Sequence, residues 1–141
     1  MRYHFDIHRD PDGLWAQCRE LPGCMTVGEN EEVLRANMNE VLNGYLEERP
    51  ESNVVFPLPD ESIQDSENVV SIQVAPPVAI AMMLRQTRLE HHMTQVEVQQ
   101  AMGFTHKNSY IRLEKRANPR ADILSKVLKV FPDFPLKECL T

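Results

Sequence analysis

The chain lacks most of the short motifs that mark enzymes and metal proteins. Its 141 residues include only 5 glycines, and they contain no glycine-rich phosphate loop, no nucleophile motif and no cysteine–histidine cluster. The 3 cysteines are an odd number without C-x-x-C spacing, which argues against a disulfide framework and against a zinc site. We therefore expect a protein without enzymatic activity, cofactor or bound metal.

Long apolar runs are also missing. No stretch approaches the roughly 20 consecutive apolar residues that cross a bilayer, and the first ten residues lack the apolar core of a secretory signal. We therefore expect a cytoplasmic protein without a membrane partner. The composition, with 42% hydrophobic and 26% charged residues, is that of a globular protein. The length allows one ordinary domain or two small ones.

Charge is divided unevenly along the chain. Residues 1–74 hold 15 acidic and 5 basic residues, a net charge of −10, whereas residues 75–141 hold 6 acidic and 10 basic residues, a net charge of +4. Together they give the overall charge of −6. Such asymmetry suggests two tasks, with the second half suited to phosphate groups and the first half suited to a basic partner.

The first half begins with the pattern of a β-hairpin. Tyr3, Phe5 and Ile7 take every second position, which is typical of a half-buried strand. The turn sequence D-P-D-G at residues 10–13 then leads into a returning strand, which ends before the L-P-G break at residues 21–23.

A third short strand at residues 24–27, a helix and a fourth strand at residues 69–74 are predicted to follow. Asn30 caps the helix, which ends near Arg49 because a residue before proline leaves the helical region. The predicted buried stripe of this helix consists of Leu34, Met38, Val41 and Tyr45. Three prolines in residues 50–68 predict a loop or connector. The sequence therefore predicts an α+β chain whose first module, residues 1–74, is β-β-β-α-β.

The second half predicts a helix-turn-helix within an all-α module at residues 77–135. Thr94 and Glu97 form a T-x-x-E capping box, and Gly103 supplies the left-handed conformation that ends the helix. A second helix follows, with Tyr110 and Leu113 toward the core and a polar outer face. The predicted apolar stripe of the first motif helix is Val96, Val98, Ala101 and Met102.

This polar face predicts contacts with DNA. We expect Asn108 to recognise adenine and Lys107 or Arg112 to recognise guanine. Gln95, beside free amides at a helix start, is expected to bind a phosphate. The further expected contact residues are Thr94, Ser109, Lys115, Arg116 and Arg120. The alternative is that this helix face is simply solvated.

The second half resembles the Xre-like, phage-repressor-type helix-turn-helix domains over roughly residues 78–131. The shared residues are Thr94, Gln95, Glu97, Gly103, Leu113, Glu114 and Pro119. The chain departs from that pattern at Gln99, where alanine is usual, at Lys115-Arg116, and by one extra residue between Gly103 and Glu114. A palindromic operator normally requires a homodimer or higher homo-oligomer. The sheet edges and the apolar tail Phe134-Pro135-Leu136 are both candidate interfaces.

The first half is similar to the small HicB-type antitoxin domain. The shared features are the opening M-R-Y strand, the D-P-D-G-L-W turn, the L-P-G-C break, and Gly28 before an acidic helix start. With the helix-turn-helix, this resemblance implies a truncated ribonuclease-H-like fold that inhibits a small basic RNA-cleaving HicA toxin. It also implies repression of the chain's own operon. The residues expected to bind the toxin are Glu29, Glu31, Glu32, Glu40, Glu47 and Glu48.

Two other functions stay open from the residues alone. One is a transcriptional repressor whose first module dimerises or senses a small molecule. The other is a nuclease, for which Asp6 on the first strand is a candidate metal ligand, although the fourth strand offers no acid. Trp15 either anchors a partner or packs into the core.

Overall fold

The computed structural model describes all residues from 1 to 141. The elements are, in chain order, β1 (Arg2–Asp10), β2 (Gly13–Cys18), β3 (Met25–Gly28), α1 (Glu31–Leu46), β4 (Val69–Gln73), α2 (Pro76–Glu90), α3 (Gln95–Ala101), α4 (Ser109–Leu113), α5 (Ala121–Val130) and α6 (Leu136–Leu140). None of the helices is long and apolar enough to cross a membrane. The prediction of an α+β chain is confirmed.

The chain divides into two compact units. The β-module comprises Met1–Leu46 and Phe56–Val74, with the terminal Thr141, and the helical module comprises Glu47–Val55 and Ala75–Leu140. The first six residues of the expected connector, 50–55, therefore belong to the helical module.

The β-module contains one antiparallel sheet with the strand order β3-β2-β1-β4. As the period-two pattern predicted, Tyr3, Phe5 and Ile7 are buried. Asp10 pairs with Gly13 across the hairpin turn, and Gly13 adopts a φ of 143° that side chains disfavour. The D-P-D-G sequence thus sets the register of the hairpin.

α1 packs on the sheet through residues spaced four apart. The Asn30 side chain accepts a hydrogen bond from the amide of Val33 at 2.9 Å, which confirms the predicted cap. The buried residues of α1 are Leu34, Met38, Leu42 and Leu46. The predicted Val41 and Tyr45 are only half-buried, because the stripe continues at i+4 where we expected i+3. A Cβ on Gly28 would lie 2.6 Å from the Leu34 Cα, so glycine permits the close contact between α1 and β3.

The helical module is built on α2, which is buried around most of its circumference. Pro76 and Pro77 start this helix, where a missing N–H costs nothing. The sequence also predicts a last helix from Arg120 to Phe131 with a buried stripe of Leu124, Val127, Leu128 and Phe131. Val127 of α5 and the following Phe131 are buried, but Leu128 is 39% exposed.

The apolar tail forms a sixth helix that the sequence did not predict. α6 contacts α2, and both Phe134 and Cys139 are buried. Burial raises the pKa of the Cys139 thiol to about 12. Phe134 therefore serves the core of the module and is not available as the dimer contact we considered.

Candidate nucleic-acid interface

The start and stop of α3 follow the sequence signals. Thr94 Oγ1 accepts from the Glu97 amide at 3.1 Å, and Glu97 Oε1 accepts from the Thr94 amide at 3.1 Å, which completes the capping box. Gly103 has a φ of 71°. Val98 and Met102 are buried, but Val96 is 60% exposed and Ala101 is also exposed. Val96 lies about 200° around the helix from Val98, at about 100° per residue, so the predicted stripe was too wide.

The second motif helix, α4, is shorter than the sequence suggested. It starts at Ser109, so Lys107 and Asn108 lie in the preceding turn and not on the helix. Asn108 holds the N-cap position without a side-chain hydrogen bond to the helix.

Four of the expected DNA contacts nevertheless share one exposed surface. Lys107, Asn108, Ser109 and Arg112 line a shallow cleft of about 410 Å³, together with His106. His106 is not among the contacts predicted from the sequence, where its only signal was its position beside Lys107. We call these five residues the 106–112 cleft. Their donors and acceptors suit base edges and phosphates.

Gln99 compensates for the missing cap of α4. Its side-chain Oε1 accepts a hydrogen bond from the backbone amide of Tyr110 at 3.3 Å. That amide belongs to the first turn of α4, where N–H groups lack partners within the helix. The departure from the usual alanine at this position therefore provides an acceptor from α3 for the start of α4.

We expect Gln99→Ala to weaken DNA binding through the position of α4. Loss of a capping acceptor costs about 1 kcal/mol, so the amides of residues 106–113 should exchange with solvent faster. Hydrogen exchange and binding to the operator fragment measure the two effects. Gln100→Ala, at an exposed neighbouring position, is the matched control. Unchanged exchange in α4 of Gln99→Ala would contradict this positioning role.

A buried carboxylate, Glu114, joins three helices of the helical module. Its Oε1 accepts from Arg88 Nε at 2.6 Å and from the Tyr110 hydroxyl at 2.6 Å. Its Oε2 accepts from Arg88 Nη2 at 3.2 Å and from Gln95 Nε2 at 2.8 Å. Burial, followed by the Glu114 charge, raises the pKa of Tyr110, which keeps its hydroxyl proton for this bond. The carboxylate thus fixes α4 relative to α2 and α3.

The same cluster holds residues 50–53, which we call the strap. Arg85 donates through Nε to the Ser52 carbonyl at 3.1 Å and through Nη2 to the Glu114 carbonyl at 2.6 Å. Arg88 Nη2 donates to Asn53 Oδ1 at 2.9 Å. Burial lowers the pKa of Arg85. The beginning of the predicted connector is therefore anchored beside the helix-turn-helix.

Gln95 has a different role from the phosphate contact expected from the sequence. Its Nε2 donates both to Glu114 Oε2 and to the Pro50 carbonyl, the latter at 2.6 Å. An amide nitrogen has two hydrogens, so no side-chain donor is left for a phosphate. Gln95 instead connects α3 to Glu114 and to the strap.

The remaining basic residues around the motif differ in whether they form ion pairs. Lys115 is exposed, Arg116 lies 3.5 Å from Glu47, and Arg120 lies 2.9 Å from Asp122. Exposed ion pairs contribute about 0–1 kcal/mol, so a phosphate can displace these carboxylates at little cost. All three stay available as phosphate contacts. Thr94, whose hydroxyl accepts the capping bond, is also exposed.

The expected acidic surface of α1 is not a single face. Glu31 is paired with Arg9 at 3.0 Å. At about 100° per residue, Glu31 and Glu40 lie on opposite sides of the helix, with Glu32 between them, and Glu29 precedes the helix. Glu47 and Glu48 lie beyond the end of α1 at Leu46 and belong to the helical module. These six acids therefore do not share one helix face, and their contact with a toxin stays a prediction.

Asp6, the candidate metal ligand, is engaged by an arginine. Its two oxygens accept from Arg19 Nε at 3.0 and 2.8 Å and from Nη2 at 2.8 Å. The hydrogen bond to Asp6 raises the pKa of Arg19. No group of three or more histidine, cysteine or carboxylate side chains is arranged to hold a metal ion.

Comparison with known families identifies the second half of the chain. Residues 84–138 match the family model described as helix-turn-helix. The match includes α3, the turn, α4 and the carboxylate of Glu114. No curated protein matches the chain. The predicted C-terminal helix-turn-helix is confirmed, and it indicates a DNA-binding transcription regulator.

Proposed function

We propose that this chain is the antitoxin of a type II toxin–antitoxin pair and represses its own operon. Residues 1–74 bind and occlude a small, basic, RNA-cleaving HicA-type toxin, and the helical module binds operator DNA. One observation carries the proposal, namely the union of an acidic β-β-β-α-β module with a basic helix-turn-helix module in a single chain. Neither half alone suggests both tasks.

The 106–112 cleft supports the DNA-binding part in detail. Asn108 is suited to the adenine edge, Lys107 and Arg112 to the guanine edge, and the exposed Lys115 to a phosphate. One helix-turn-helix contacts only a half-site. We therefore propose a homodimer or higher homo-oligomer on the operator.

The antitoxin part rests on the residues shared with HicB-type domains and on the charge of the β-module. The D-P-D-G-L-W sequence builds the hairpin turn, and Gly28 allows α1 to lie close to β3. An antiparallel sheet with one helix is compatible with a truncated ribonuclease-H-like fold. The β-module holds 12 acidic and 4 basic residues, and its net charge of −8 favours fast association with a basic protein.

The alternative is a repressor whose β-module senses a small molecule. Such a site needs an enclosed pocket with converging polar groups. The groove beside the hairpin turn of the β-module is instead open, with a volume of about 750 Å³. Within it, Trp15 Nε1 donates to Asp10, and Asn37 Nδ2 donates one of its two hydrogens to the Val27 carbonyl. The groove therefore favours a macromolecular partner.

The test combines RNA cleavage with DNA binding. A purified HicA-type toxin should cleave RNA, and an equimolar amount of the full-length chain should stop cleavage. The same preparation should bind a DNA fragment from upstream of its own gene and not a scrambled fragment. Continued cleavage in excess chain, with operator binding intact, would overturn the antitoxin role and leave a repressor.

A further inference from the structure

The β-module exposes a row of apolar and aromatic side chains on the sheet face opposite to Tyr3, Phe5 and Ile7. Cross-strand pairing places His8 of β1 opposite Trp15 of β2, and Trp15 opposite Val27 of β3. Val27 is 68% exposed, and Met25, two residues earlier on β3, is 49% exposed. We call His8, Trp15, Met25 and Val27 the open-face row. Contiguous exposed apolar side chains of this kind mark interaction sites.

The row is fixed in place before any partner arrives. The rings of His8 and Trp15 are stacked, with centroids 3.9 Å apart and planes inclined by 16°. Trp15 Nε1 donates to Asp10 Oδ2 at 3.0 Å. Trp15 is half-buried, so it is neither a core residue nor freely mobile. A preordered aromatic side chain loses little conformational entropy on binding.

Carboxylates border this row at the hairpin end. Asp10, Asp12 and Glu29 line the same groove as Trp15 and Val27. Asp12 and Glu29 are exposed and make no ion pair. The basic residues Arg9 and Arg19 are instead paired with Glu31 and Asp6. The border of the row is therefore acidic, and its centre is apolar.

We propose that the open-face row, and not α1, is the surface on which the toxin docks. This inference rests on the proposed antitoxin function. The partner surface that fits it presents an apolar side chain against Trp15 and Val27, flanked by Lys or Arg facing Asp12 and Glu29. Apolar contacts at the centre supply affinity, and the acidic border sets the association rate and the choice of a basic partner.

Three substitutions at exposed positions test the proposal on the full-length chain. Val27→Lys places a positive charge in the row, and Val27→Ser removes only the apolar contact. Glu61→Gln, at an exposed position of the β-module outside the row, changes the charge by the same unit as Val27→Lys. Binding to a purified, catalytically inactive HicA-type toxin is measured by calorimetry at one fixed salt concentration. We expect Val27→Lys to weaken binding about 30-fold or more and Val27→Ser about tenfold. Glu61→Gln should bind the toxin within about twofold of the affinity of the unmodified chain.

The outcomes separate the two proposals. If the unmodified chain does not bind the toxin, the proposed function fails. If the unmodified chain binds the toxin and both Val27 variants bind it with the same affinity as the unmodified chain, the open-face row is not the docking surface, whereas the antitoxin function stands. Analytical ultracentrifugation measures the oligomeric state of each variant and so tests whether the row mediates self-association. A change of oligomeric state with unchanged toxin affinity would assign the row to contacts between copies and overturn the inference. Circular dichroism and operator binding report that each variant is folded.

Discussion

Replacement of Glu114 by alanine is expected to lower the stability of the helical module strongly. The substitution leaves the buried Arg88 guanidinium without its carboxylate and removes the acceptor of the Tyr110 hydroxyl and of Gln95. Removing one partner of a buried ion pair costs about 3–5 kcal/mol. That is a large part of the roughly 5–15 kcal/mol that stabilises a typical domain. Urea unfolding followed by circular dichroism should show the loss as a lower midpoint for the helical signal.

Glu97→Gln is the matched control for Glu114→Ala. Glu97 is exposed, and glutamine can serve in the same capping box. We expect its unfolding midpoint to equal that of the unmodified chain. Toxin binding by Glu114→Ala should persist, because the β-module has its own core. An unfolding midpoint unchanged by Glu114→Ala would mean that the buried carboxylate does not hold the helices together.

The buried ion pair between Arg88 and Glu114 can be tested further with the Arg88→Ala variant. Arg88 and Glu114 share two hydrogen bonds. The losses of unfolding free energy in Arg88→Ala and Glu114→Ala should therefore not add, and the double variant should be more stable than the sum of the two losses predicts. If the two losses of unfolding free energy add strictly, Arg88 and Glu114 each stabilise the module through other partners.

Loss of operator binding without loss of stability is the expected result for Asn108→Ala and Arg112→Ala. Both side chains are exposed in the 106–112 cleft and support no other part of the module. A good bidentate contact with a base contributes about 1–3 kcal/mol, so each variant should bind the operator about 10- to 100-fold more weakly. Fluorescence anisotropy at one fixed salt concentration measures this loss.

Lys129→Ala controls for the change of charge in the Arg112 variant. Lys129 is exposed on α5 and lies outside the cleft, so its removal should change affinity by less than about threefold if it only contributes to the general positive field. Binding to a mismatched operator should weaken less than binding to the native one in Asn108→Ala, because a base contact carries specificity. Loss of toxin binding in either folded cleft variant would contradict the division into two modules.

The parts of the fold that obey local rules could be predicted from the sequence. The period-two pattern of Tyr3, Phe5 and Ile7 gave β1, and the T-x-x-E box with Gly103 gave the limits of α3. These signals involve residues that interact within a few positions of each other. The second half of the buried stripe of α1 was predicted less accurately, because the choice between i+3 and i+4 at Val41 and Leu42 depends on packing against the sheet.

The parts that depend on distant contacts could not be predicted. Charged residues are usually exposed, so the sequence gives no sign that Arg85, Arg88 and Glu114 are buried, as the structure shows them to be. The sequence led us to expect a phosphate contact for Gln95, because its actual partners, Pro50 and Glu114, lie 45 and 19 residues away along the chain and leave no local signal. One signal was present, since Leu113-Glu114 belongs to the helix-turn-helix pattern even though no DNA contact was assigned to that glutamate.

The strap also limits how such a chain can be assembled from smaller pieces. The polypeptide enters the helical module at Glu47, returns to the β-module at Phe56 and enters the helical module again at Ala75. A gene fragment that begins at Ala75 would encode α2 and α3 without the carbonyls of Pro50 and Ser52 that receive Gln95 and Arg85. No single cut separates the modules intact. Exchange of a DNA-binding module between such chains by simple fusion must therefore carry the strap along, or replace its acceptors with new ones.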